Sequence, residues 1–152
     1  MKIKRYKAMK RLLYLFMLPL CLLAAMLLGS CGSDDGDGSV SLTDGMWRLE
    51  GFCNQQDNTF EAAEAHDGSD GYSLAFKADG TFSGHTCVNT FQGRYEAVDG
   101  SISLHDLTGT MVMERYDGDR FMAAVSKATM FRIEGGQLRL YYDGQHYLLF
   151  KK

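Results

Sequence analysis

Four cysteines and four histidines are the residues of this 152-residue chain best equipped for chemistry. Cys21 lies inside an apolar N-terminal run and Cys31 ends it, which leaves Cys53 and Cys87 as the cysteine pair of the remaining chain. In an oxidising compartment such a pair is a candidate disulfide, worth about 4 kcal/mol in the chain-entropy model. Two small buried thiols are the other reading, because unoxidised cysteine packs as a modest hydrophobe. A catalytic thiol needs a base beside it, and no local pattern supplies one. His66, His85, His105 and His146 form no i, i+4 pair and no His-Glu-x-x-His pattern, so no zinc site is written in the sequence. His66 sits with Glu64, Asp67 and Asp70, a set able to hold a metal weakly and better read as a solvated loop. His85 and His105 read as half-exposed positions on separate strands. There is no Gly-x-Ser-x-Gly elbow and no phosphate-cradling glycine loop. Gly84 and Gly93 read instead as points of close backbone approach or tight curvature. Asn89 has two readings: a buried, hydrogen-bonded residue that sets strand geometry, or a polar anchor for a ligand at a barrel mouth.

The strongest chemistry belongs to Cys31. The first eleven residues carry Lys2, Lys4, Arg5, Lys7, Lys10 and Arg11 and no acid, and Leu12 to Leu28 is apolar apart from Pro19. Leu28-Gly29-Ser30-Cys31 then places small residues before a cysteine, where a signal peptidase needs room. This stretch resembles a bacterial lipobox. The resemblance implies a diacylglyceryl thioether (palmitate or a similar acyl chain) on Cys31, cleavage before it, and acylation of the new N-terminus. Two or more chains anchor a protein stably where one does not. The apolar run of about 17 residues is at the lower limit for a membrane span. Residues 1–30 are thus expected to be a removed signal peptide. Six of the 16 basic residues would leave with it, so that 10 basic and 19 acidic residues, a net charge of −9, remain. That balance disfavours nucleic acid and charge-driven binding to anionic lipid. Residues 31–41 read as a flexible Gly/Ser/Asp tether. Asp34, Asp35 and Asp37 lack the frame of a calcium loop. The lipid anchor implies an outer-membrane location on the periplasmic face or the cell surface, and the acidic run resembles the export signal of Bacteroidetes surface lipoproteins, which implies display on the outer surface.

The elements that must position Cys53, Cys87 and Asn89 lie in residues 42–152, enough for one domain. No proline follows Pro19. Asp79-Gly80, Asp99-Gly100, Gly135-Gly136 and Asp143-Gly144 punctuate apolar runs, each as a turn with positive φ, and predict an antiparallel β meander. The runs alternate as strands do. Trp47, Leu49 and Cys53 are expected on one face of the first strand. Tyr72, Leu74 and Phe76 alternate in the second, followed by Phe91, Gly93 and Tyr95, by Ile102 and Leu104, and by Leu138, Leu140 and Tyr142. Gln145–Lys151 is apolar on both faces, which predicts cover on both sides. Phe121, Met122, Val125 and Ala128 fall at helical spacing, so Asp119–Ala128 is expected to be a helix over the sheet, capped by Asp117 or Asp119. Asn54–Gly71 reads as one long connection with a short helical turn at Glu61–Ala65, and such loops are often functional.

The run Gly84-His85-Thr86-Cys87-Val88-Asn89-Thr90-Phe91-Gln92-Gly93-Arg94-Tyr95 resembles the signature strand pair of the META/HslJ-like domain. Met46-Trp47-Arg48-Leu49, Thr108–Met113, Phe121, Gly136–Leu140 and Leu148–Phe150 match further pieces in order. The resemblance implies an all-β, small antiparallel barrel-like (lipocalin-like) fold with one short helix. It also implies an envelope lipoprotein linked loosely to stress tolerance, with no enzymatic activity and no cofactor. Two departures stand out. Val88 splits the family's Cys-Asn pair, and a one-residue shift on a strand reverses a side chain's face. Met113 replaces a later cysteine, so a disulfide between those two family positions is absent here.

These features predict a lipid-anchored, non-enzymatic binding or envelope-maintenance module. Trp47, His85, Asn89, Phe91 and Tyr95 are its candidate ligand or structural residues. The alternatives are an inhibitor or accessory subunit of an envelope hydrolase acting through 54–71, and a small-ligand-binding barrel. A wide polar cavity would favour a small ligand, and a filled core with an exposed apolar loop would favour a partner.

Overall fold

The computed structural model describes residues 40–64 and 71–152. Cys31, the expected signal peptide over residues 1–30, residues 31–39 of the expected tether, His66, Asp67 and Asp70 lie outside the described residues. Ser39–Lys152 forms one compact unit.

Nine antiparallel strands run through this unit: β1 (Met46–Asn54), β2 (Thr59–Ala62), β3 (Ser73–Phe76), β4 (Thr81–His85), β5 (Thr90–Val98), β6 (Ser101–Gly109), β7 (Met130–Glu134), β8 (Gln137–Tyr141) and β9 (His146–Lys151). A single helix, α1 (Gly118–Ser126), falls between β6 and β7. The strands from β3 to β9 follow one another as neighbours, and β1 pairs with both β3 and β9, so the sheet closes into a ring. β1 can close it because it is long. Residues 48–54 pair with β9 along one edge, while the other edge is shared by β3 at 46–48 and β2 at 51–54. The ring is uneven. β5 and β6 pair along nearly their whole length, but β6 meets β7 only at Ser101 and Met130.

Two hairpins follow from their turn dipeptides. Asp99-Gly100 and Gly135-Gly136 each have positive φ at both residues, the geometry that matches strand twist in a two-residue turn. Asp143-Gly144 departs from the expectation. Gly144 has no positive φ, and the turn is held instead by Asp143 Oδ1, which accepts from the backbone N–H groups of Gln145 (2.7 Å) and His146 (2.6 Å). This Asx-type turn does the work that a left-handed glycine would do.

Four other expectations are corrected. The 54–71 segment is not one long loop with a helical turn, because Thr59–Ala62 turns back as β2 and pairs with Gly51–Asn54. The face assignment of β1 also fails beyond Leu49. Leu49 pairs with Phe150 and Gly51 with Leu149, so Glu50 is an extra, bulged residue. A bulge shifts the two-residue period by one. Phe52 therefore joins Trp47 in the core, and Cys53 turns to the outer face beside Tyr147 and Arg139. The helix is not capped by an aspartate side chain. Asp117 occupies the N-cap position, but its Oδ2 accepts from the Glu64 N–H (2.7 Å) and ties the end of the β2 segment to the helix. Finally, β9 is fully buried on one face only: Leu148 and Phe150 are inaccessible, whereas Tyr147 and Leu149 on the other face are half-buried.

The interior is filled by side chains. Trp47, Leu74, Phe121, Val125, Leu138, Leu140, Leu148 and Phe150 have no accessible surface. Phe121 and Val125, one turn apart on α1, enter the ring together. Phe121 meets the rings of Tyr72 (5.1 Å between centroids), Phe91 (6.1 Å) and Phe150 (6.3 Å). Each such pair adds about 0.5–1.5 kcal/mol beyond area burial. Arg120, the residue before Phe121, lies 3.8 Å over the Phe52 ring and pairs with Glu61 on β2 at 2.8 Å.

Curvature at β4–β5 depends on a reciprocal arrangement. Phe82 is opposite Gly93, and Gly84 is opposite Phe91. A Cβ at Gly84 would strike the Phe91 ring, and one at Gly93 would come within 2.8 Å of the Phe82 ring and 2.6 Å of the His105 carbonyl oxygen. Each phenylalanine therefore lies across the opposite glycine. Gly84→Ala is expected to cost about 1–3 kcal/mol through overpacking. Phe91→Leu in the same chain should restore part of that loss in urea unfolding, and strict additivity of the two changes would refute the reciprocal packing.

Candidate functional site

Asn89 organises the end of the ring nearest α1. It is buried in the turn between β4 and β5, and its side-chain amide uses every hydrogen-bonding position it has. Nδ2 donates to the Val112 carbonyl oxygen (2.7 Å) and to Glu114 Oε1 (2.7 Å). Oδ1 accepts from Thr110 Oγ1 (2.8 Å) and from the Val112 N–H (2.9 Å). Thr86 completes the cluster. Its hydroxyl donates to Glu114 Oε1 (3.0 Å) and accepts from the Asn89 N–H (2.9 Å), while its own N–H donates to the Asn89 carbonyl oxygen (2.8 Å). Thr110 Oγ1 in turn accepts from the Thr90 N–H (3.1 Å).

Val88 does not continue a strand into Asn89. Residues 86–89 form a turn rather than a strand, and the Thr86–Asn89 bonds close it while Val88 is pushed to the surface. An inserted residue shifts faces only where the two-residue period continues.

The network pins residues 110–114, which cross the end of the ring after β6. Between the pinned positions the side chains face solvent: Met111 is 98% exposed and Met113 88% exposed. Below this segment lies a groove of about 440 Å³, lined by Asn89, Phe91, Leu107, Met111, Glu114 and Met122. Leu107 and Gly109 come from β6 at the stretch that no described strand pairs on its far edge. Met122 comes from α1. Glu114 Oε2 is buried, accepts no hydrogen bond from the described residues, and lies against Gly118 so closely that a Cβ there would collide with it. Gly118 opens α1, where the helix dipole favours a negative charge.

The sequence-predicted residues do not converge. Asn89 and Phe91 line the groove. Trp47 is a core residue with its indole N–H donating to the Leu42 carbonyl oxygen (2.8 Å). Tyr95 packs edge-on against Phe76 (5.0 Å), and its hydroxyl donates to the Lys77 carbonyl oxygen (2.8 Å). His85 is exposed on the outer face of β4, beside an open depression of about 550 Å³ that also includes Phe91, Gln92 and Thr108. His105 and His146 each face a neighbouring aspartate at the surface, at 3.4 Å and 2.9 Å.

Cys53 and Cys87 are not joined by a disulfide. Cys53 lies on the outer face, and burial, the larger influence, raises its pKa despite a hydrogen bond with Tyr147. A thiol held neutral in this way is a poor nucleophile. Cys87 lies beside the Tyr72 phenol, whose pKa is raised first by burial and then by that thiol. The Tyr72 hydroxyl donates to the Glu64 carbonyl oxygen (2.9 Å).

Thr86, Thr110 and Glu114 were not singled out from the sequence, and Met122 was read only as part of the helix. Thr86-x-x-Asn89 carried a usable signal, since a threonine hydroxyl commonly accepts from the N–H a few residues on. Glu114 carried none, because it is a long-range partner of Asn89.

The family model of the META domain matches residues 40–152, which span the described ring and helix. The chain belongs to the META domain family. No curated protein matches the chain at a significant level. Among solved structures, this META domain resembles a DUF4847 family protein from Bacteroides vulgatus ATCC 8482, with a TM-score of 0.55 and 21% identity over 72% of this chain and 93% of that one. It also resembles a protein from Burkholderia xenovorans solved by NMR, with a TM-score of 0.56 and 25% identity over 72% of this chain and 82% of that one.

Three outcomes follow from the site. Asn89→Ala strands several buried partners and should cost about 1–3 kcal/mol in urea unfolding. Asn89→Asp puts a second carboxylate beside Glu114, which raises the folded-state pKa of the pair and makes the folded variant bind protons more tightly than the unfolded chain. Its deficit relative to the parent should therefore shrink from about pH 7 to about pH 5, and a pH-independent deficit would contradict the like-charge pair. Alkylation of the unreduced, denatured chain should label both Cys53 and Cys87, and uptake of label only after reduction would mean a disulfide.

Proposed function

We propose that this META domain is a non-enzymatic binding module of the cell envelope, tethered to the outer membrane by lipid on Cys31. It recognises a partner at the end of the ring bounded by residues 110–114. The observation that carries this reading is the exposure of Met111 and Met113 on a segment anchored by Asn89. Holding two flexible apolar side chains in water has no folding benefit. Methionine is adaptable and recurs at surfaces that bind partners. Rigid anchoring on either side lowers the ordering cost of association. A small-ligand barrel finds less support, since the ring interior is packed with aromatic and leucine side chains. The inhibitor reading rested on a long 54–71 loop, and part of that segment is β2.

The lipid tether and the envelope location rest on the lipobox-like Leu28–Cys31 and the signal-like stretch before it. Display at the cell surface or retention on the periplasmic face are both compatible with the tether, and a role in envelope stress or maintenance fits either.

A photo-crosslinking residue at Val112 in intact cells tests the reading. A discrete adduct is expected, absent when the crosslinker sits at Val98, an exposed apolar residue on the β5–β6 turn. Met111→Ser with Met113→Ser should remove the adduct while shifting stability by less than about 0.5 kcal/mol. Cys31→Ser should release the protein from the membrane fraction. Equal crosslinking at Val98 and Val112 would refute the proposed surface.

A further inference from the structure

We infer that the partner binds as an extended polypeptide strand added to the open edge of β6, with apolar side chains in the Met111–Met122 groove and a basic group toward Glu114. This inference rests on the binding-module reading and names the class of partner.

Three observations support it. The first is backbone availability. β6 pairs with β5 as far as Gly109, but among the described residues its other edge is paired only at Ser101. The Thr110 N–H donates to the Thr90 carbonyl oxygen, on the β5 side. Backbone groups of successive residues in an extended strand point to alternate edges. The N–H and carbonyl of Gly109 therefore point toward the open edge. Strand addition supplies affinity through such groups and specificity through pockets for alternate side chains.

The second is the groove. It runs beside Leu107 and Gly109, with Phe91 below and Met122 across on α1. A strand lying along β6 would place every second side chain there. The exposed edge of β2 lacks this provision: its four side chains are all exposed, and Phe60 folds over Gly51.

The third is charge. Glu114 lines the groove, and no described Lys, Arg or His forms an ion pair with it. An entering lysine or arginine would supply the missing counter-charge.

The test uses the full-length protein, isotope-labelled and solubilised in detergent, with a synthetic twelve-residue peptide of alternating valine and threonine and one terminal lysine as the probe. Saturable amide shifts are expected at Leu107–Met111 and Met122, with slowed hydrogen exchange at Gly109. The same peptide N-methylated at alternate residues should lose binding, and Met122→Asp should weaken it about tenfold. Replacing the lysine by glutamate should weaken it as well. Shifts centred on Thr59–Ala62, or no shifts at millimolar peptide, would overturn the inference. Equal binding of the N-methylated peptide in the groove would overturn strand addition while leaving a binding surface in place. The Val112 crosslinking experiment distinguishes the two failures, because it reports on the surface without assuming any partner conformation.

Discussion

Phe121 reaches from the only described helix into the ring and touches Tyr72, Phe91 and Phe150, which belong to parts of the sheet far apart in sequence. A closed antiparallel ring of this size needs its interior filled, since a void forfeits both transfer energy and dispersion contacts. The strands alone leave the α1 end uncovered, and the helix supplies Phe121 and Val125 to fill it. This constraint sets the position of α1. It also sets the path of the chain between β6 and the helix, because residues 110–117 must cross the end of the ring to deliver Phe121.

That crossing produces the surface. The crossing segment needs its backbone groups satisfied, and Asn89 satisfies Val112 on both its N–H and its carbonyl. The same segment separates β6 from β7 after one paired position. The anchored apolar residues, the groove and the open strand edge are thus three results of one geometrical fact: the helix enters where the sheet would otherwise have continued. Glu114 belongs to the same corner. It stands between the Asn89 amide and the first residue of the helix, so close to Gly118 that a Cβ there would meet its carboxylate.

Much of the fold was legible in the sequence. Tyr72–Phe76, Phe91–Tyr95, Ile102–Leu104 and Leu138–Leu140 alternate without interruption, and Phe121–Val125 has helical spacing, so local periodicity alone reveals them. Thr59–Ala62 was not legible, because all four side chains are exposed and a strand with no buried face leaves no alternating pattern. The inward turn of Phe52 was hidden for a different reason. The bulge at Glu50 is defined by pairing with β9, about a hundred residues away, and nothing local announces it. At the site, Asn89 stood out as a polar residue in an apolar setting. Its partners did not, since Val112 and Glu114 reach it only through the fold.

The sequence by itself determined the antiparallel β class, the helix over Phe121–Val125 and its buried face, the turns at Asp99-Gly100 and Gly135-Gly136, and the resemblance to the META domain. These are properties of neighbouring residues, set by steric limits on φ and by periods of two and 3.6 residues. The tertiary structure alone decided which strands close the ring, that Cys53 and Cys87 are not bonded, that Val88 is absorbed in a turn, and that β6 keeps an open edge beside an apolar groove. Each of these depends on which distant backbone groups meet, and a chain's local pattern does not encode its long-range partners.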